Sequence, residues 1–127
     1  MPKKYLQIVF TSPSVDSETE FNAWYDNVHV PQVLEMPGFL SGQRFRLIDS
    51  DTSEGPRYLA AYQIESDDID ETLQTITDMA PGRTKSAAID ISVSIVRMYE
   101  ALGEPQFSTD GTPEEAASNP DSARTDA

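Results

Sequence analysis

The one histidine of this 127-residue chain, His29, lies in the run Trp24-Tyr25-Asp26-Asn27-Val28-His29-Val30-Pro31. Imidazole has the unperturbed pKa nearest neutrality, which suits it to act as general base or acid. Trp24 and Tyr25, with Phe21 a turn earlier, can wall an apolar site and stack on a planar compound. Tyr5, Tyr58, Tyr62 and Tyr99 fall on strand-like segments. A phenol among them can donate to a developing oxyanion, Tyr62 or Tyr5 first. The predicted site therefore has His29, Tyr62 and Tyr5 as catalytic groups and Trp24, Tyr25 and Phe21 as substrate wall. Asp26 can orient the imidazole from one turn away, or stand as a solvated helix charge. Arg44, Arg46 and Arg97 can bind a carboxylate or enolate oxygen, or pair with acidic hairpin residues. The competing reading of His29 is a buried structural residue, the commoner role of a lone histidine on an apolar helix face.

Other chemistries lack their residues. With no cysteine there is no disulfide, iron–sulfur or thiol chemistry, and one histidine makes no His-rich zinc site. No GxGxxG, GxxxxGKS or GxSxG stretch occurs. No metal or cofactor is expected. A net charge of −13 opposes nucleic acid and anionic membrane surfaces as partners. No apolar run approaches the roughly 18 residues of a membrane span, and no leader-like segment opens the chain, so a soluble cytoplasmic protein is expected.

The elements that must position these residues follow from periodicity. Tyr5–Phe10 reads as a strand, broken by Ser12-Pro13-Ser14. Ser17 and Glu20 fit a capping box, so a helix is predicted from there. Phe21, Trp24, Tyr25, Val28 and His29 share one helical face, and Pro31 should kink or restart the helix before Pro37-Gly38 ends it. Phe39–Ile48 and Arg57–Glu65 are predicted strands joined by the polar loop 49–56. Asp67 or Asp68 should cap a second helix carrying Ile69, Leu73 and Ile76, closed by Pro81-Gly82. Ile89–Leu102 holds a fourth strand, with Ile91, Val93 and Ile95 on one side. The order βαββαβ predicts an α+β, ferredoxin-like domain over residues 1–102, a four-stranded antiparallel sheet with two helices on one face. Residues 103–127 read as a disordered acidic tail. Strands one and three carry apolar residues on both faces, which predicts a homodimer covering the second face.

The stretch Trp24-Tyr25…His29-Val30-Pro31, followed by Met36-Pro37-Gly38-Phe39, resembles the EthD-like branch of the dimeric α+β barrel superfamily over roughly residues 4–100. The resemblance implies a barrel subunit with His29 facing a pocket between sheet and helices. It also implies a small-molecule substrate. The expected function is a cofactor-independent enzyme moving a proton on a small apolar carbonyl or phenolic compound. The expected class is a lyase or isomerase acting by general acid–base catalysis: a cyclase, isomerase, dehydratase or decarboxylase. Alternatives are a non-catalytic binding or assembly module, and a cofactor-free monooxygenase or haem-binding barrel protein.

Overall fold

The computed structural model describes residues 2–48 and 55–110. Four strands, β1 (Lys3–Thr11), β2 (Phe39–Arg46), β3 (Tyr58–Ser66) and β4 (Ile95–Glu100), form one antiparallel sheet in the order β2-β3-β1-β4. Helical pieces α1 (Glu18–Trp24), a π-turn (Tyr25–His29) and α2 (Val30–Val33) run on without a break between β1 and β2, and α3 (Ile69–Met79) joins β3 to β4. This is the expected ferredoxin-like α+β architecture.

The pleat sorts the side chains. On β1, Tyr5, Gln7 and Thr11 are buried beneath the helices, opposite Ile64, Tyr62 and Tyr58 of β3. Phe21 (0% exposed), Tyr25 (1%) and Tyr62 (1%) centre that layer. Each such burial is worth about 1.5–3 kcal/mol, so this layer holds helices to sheet. On the other face the register aligns Phe45, Leu59, Phe10 and Ile95 in one row across all four strands. Phe45 and Ile95 of that row are 46% and 38% exposed.

Two glycines set close approaches. Gly38 has φ +88°, and a Cβ there would lie 2.6 Å from the Glu65 carbonyl oxygen, so the turn into β2 admits glycine alone. At Gly42 a Cβ would lie 2.9 Å from the Tyr62 ring and 3.2 Å from Val30 Cγ1.

Some local expectations are corrected. Ser17 precedes the helix but makes no cap; its hydroxyl donates to the Val15 carbonyl instead. Asp68 is the true cap of α3, accepting from the Asp70 and Glu71 amides. Ile91 and Val93 are not in a strand. Asp90 accepts from the Ser92 amide and hydroxyl and winds Ile91–Val93 into a 3₁₀ turn, so β4 starts at Ile95. Of the predicted 49–56 loop, residues 49–54 lie outside the described residues, as do 111–127 of the predicted tail. Residues 103–110 are exposed and carry no helix or strand.

Candidate functional site

Pro31 organises the site. It has no N–H, and in an α-helix its ring would crowd the Asn27 carbonyl. The backbone answers with a wider turn. The Val30 amide donates to the Tyr25 carbonyl, five residues back, and α-helical bonding resumes with the Leu34 amide on the Val30 carbonyl at 3.0 Å. Such π-turns concentrate at functional sites. In a straight α-helix, residues five apart diverge by about 140°. Here Trp24 and His29 stack, ring centroids 4.7 Å apart and planes 24° apart. Tyr25 meets His29 edge-on at 4.9 Å.

His29 Nδ1 is buried and has no hydrogen-bond partner among the described residues. Burial, and secondly the charge of Arg83, lower the His29 pKa to about 4, so the imidazole is neutral at physiological pH. The Tyr62 hydroxyl, on central strand β3, is likewise buried without a partner. Burial raises its pKa, Tyr25 adds to the rise, and Arg83 and Arg44 oppose it. The Tyr25 phenol is also raised by burial, against the Thr11 hydroxyl and the Arg44 charge.

Arg44 fills the space beside this pair. Its guanidinium lies 4.5 Å from the Tyr25 ring centroid and 5.3 Å from those of Phe21 and Tyr58. Two donors hold Asp26 Oδ1 and Asn22 Oδ1, both at 2.8 Å. Asp26 therefore turns to Arg44 instead of orienting His29, and Arg44 pairs with a helix residue, not with the hairpin. The same network continues through Tyr58, whose hydroxyl donates to Glu18 and accepts from Asn22.

The segment after α3 crosses the outside of this helix. Trp24 Nε1 donates to the Thr84 carbonyl at 3.3 Å, and the Gln32 side chain bonds both the hydroxyl and the amide of Thr84. Arg83, next to it, lines a cleft of about 270 Å³ with Gln32, Glu35, Asp78, Met79 and Gly82. Arg83 Nε is buried and unpartnered among the described residues.

The predicted residues thus divide. His29, Trp24 and Tyr25 are in mutual ring contact, whereas the Tyr62 ring meets Phe39, centroids 6.0 Å apart. Phe21 and Tyr25 embrace Arg44 as core. Tyr5 is buried opposite Ile64, one pleat along the sheet from Tyr62. Arg46 and Arg97 are exposed, and Tyr99 is half-exposed on the open face. Arg83 escaped the sequence reading, because nothing after the Pro81-Gly82 stop marks an inward-turning arginine. Among the described residues no cluster of three His, Asp or Glu could hold a metal ion. No helix of the described residues is long and apolar enough to cross a membrane.

The profile of the family described as Domain of unknown function (DUF4286) matches residues 5–81. The chain belongs to this DUF4286 family. No curated protein matches it. Among solved structures it is similar to HapK from Hahella chejuensis, at 16% identity and TM-score 0.57, covering 82% of this chain and 98% of that one. The haem degrader MhuD from Mycobacterium tuberculosis, with two haems bound, aligns at 18% identity and TM-score 0.55, covering 80% and 99%. A candidate monooxygenase from Shewanella loihica aligns at 18% and 0.53, covering 82% and 99%. An EthD family protein from Bacillus halodurans is also among the structures found. The likeness to HapK and MhuD shows the fold, the ferredoxin-like α+β barrel subunit that the sequence resemblance implied. The lyase or isomerase expectation is corrected: of the neighbours named here, those described by an activity are a haem degrader and a candidate monooxygenase.

Proposed function

We propose that this DUF4286 protein is a cofactor-independent oxygenase acting on a small, planar phenol or enol at His29 and Tyr62. The observation that carries it is the neutral, unpartnered Nδ1 of His29 on a π-turn, together with a second buried group without a partner among the described residues, the Tyr62 hydroxyl of the sheet beneath the helices. In this reading His29 takes the proton of the phenol or enol, and Tyr62 donates to the oxyanion left behind. The electron-rich anion is then the species that dioxygen oxidises directly. For an activated methylene the balance is R₂CH₂ + O₂ → R₂C=O + H₂O. The negative charge developing on the substrate favours imidazolium and so raises the His29 pKa when it is needed.

Haem does not fit this arrangement. Trp24 covers one face of His29, and Arg44 is committed to Asp26 and Asn22.

The reading includes a two-fold homodimer. The row Phe45–Leu59–Phe10–Ile95 is apolar and unpartnered, and a second copy turned about a two-fold axis offers the same row in return.

Dioxygen uptake measured with 1,8-dihydroxyanthrone, 4-hydroxycoumarin and the acid 1,4-dihydroxy-2-naphthoate tests the function. Protein-dependent uptake with at least one of them is expected, falling about 10²–10⁴-fold in His29→Ala. A folded His29→Ala protein with undiminished uptake, or wild type that consumes no oxygen with any of the three, overturns it.

A further inference from the structure

We infer that Arg83 anchors an anionic group of the ligand, so that the compound handled here is an acid, a small planar phenolic or enolic carboxylate. The inference rests on the proposed site for its chemistry, but its binding term is separately measurable.

Arg83 follows the 3₁₀ turn Ala80–Gly82 in extended backbone and turns its side chain inward. One terminal nitrogen donates to the Ile76 carbonyl at 3.3 Å and touches Met36 Sδ at 3.8 Å. Neither partner is charged. Among the described residues Arg83 has no carboxylate within 4 Å; Lys3, Arg46, Lys85 and Arg97 have none either, but those four are exposed to water, whereas Arg83 is partly buried. Glu35 and Asp78 line the same cleft and are exposed, and Asp78 accepts from Gln74 at 2.9 Å. A partly desolvated cation with a buried idle Nε is costly unless an anion completes it. A guanidinium presents its donors as a planar fork matched to a carboxylate.

Position makes this anchor useful. Arg83 is one of the residues lining the cleft beside α2 and α3, and its positive charge also bears on His29 and Tyr62. A carboxylate bound there would remove the cationic influence that weakens His29 as a base. Anchoring and activation would then be one event.

Trp24 is the sole tryptophan and stacks on His29, so its fluorescence reports the site. Titration with salicylate and with its neutral isostere salicylamide is the test. Salicylate should bind at least about tenfold more tightly, and Arg83→Gln should erase that preference while leaving salicylamide binding unchanged. Arg83→Lys covers the case in which the glutamine variant fails to fold: loss of the fork should weaken salicylate and spare salicylamide. Equal binding or no binding of the two probes by wild type overturns the inference. So does an acid preference that survives in Arg83→Gln. If salicylate binds through Arg83 but no phenol draws oxygen, the anchor stands and the oxygenase reading falls. If neutral phenols draw oxygen and no acid preference exists, the anchor falls alone.

Discussion

The imidazole of His29 lies against the indole of Trp24, five residues earlier, with planes 24° apart. Only a widened turn brings residues at that spacing together, and Pro31 is the residue that widens it. Pro31→Ala restores an amide hydrogen and removes the ring clash, so the helix should relax toward α-helical bonding. The stack should then open. The expected readings are a shift in Trp24 fluorescence and a rise of the His29 pKa, followed by NMR of the imidazole.

The pKa of His29 also fixes a pH dependence. It is about 4 in the folded chain against 6.5 for the unperturbed group. Between those values the unfolded chain binds more protons, so stability due to this group is complete above 6.5 and drains away as the pH falls to 4. His29→Phe, which cannot titrate, should lose less melting temperature than wild type between pH 7 and pH 4. Parallel losses in the two proteins would mean that His29 is not held neutral by the fold.

Arg44 is held by the Asp26 carboxylate, the Asn22 amide oxygen and three rings. Arg44→Ala should cost roughly 2–4 kcal/mol in denaturant unfolding. Arg44→Lys should recover little, because an ammonium cannot span Asp26 and Asn22 while lying flat on Tyr25.

Phe45 is half-exposed on the open sheet face, so charge there costs the single subunit little. Phe45→Lys should leave the melting temperature of the isolated subunit within a few degrees yet shift light-scattering mass from dimer to monomer. A wild-type protein that is monomeric at micromolar concentration removes the homodimer from the proposal.

The sequence reading of the fold held because each element carried its own period: alternation in Tyr5–Phe10 and Arg57–Glu65, a helical stripe from Phe21 to His29, and punctuation at Pro37-Gly38 and Pro81-Gly82. It failed where a short side chain had a choice of local partners. Ser17 looked like a cap but bonded backward to Val15, and Asp90 took Ile91–Val93 out of the strand. For the site, the type and face of His29 were legible, and so was a break at Pro31. That the break would be a π-turn was not, since kink, restart and widened turn share one sequence signal. Arg83 was invisible because its inward turn depends on tertiary partners, Ile76 and Met36, that no spacing rule connects to position 83.

Gly42 of β2 lies directly opposite Tyr62 of β3. The clearance between β2, the Tyr62 ring and Val30 is narrower than a methyl group, so the aim of that phenol is gauged by an atom that is missing. Change at position 42 is transmitted straight to the hydroxyl, with no slack to absorb it. A side chain added at position 42 therefore has one direction to push, into the Tyr62 ring and Val30. The helical side, where Val30 can shrink or grow, is adjustable, whereas the sheet side behaves as a fixed stop.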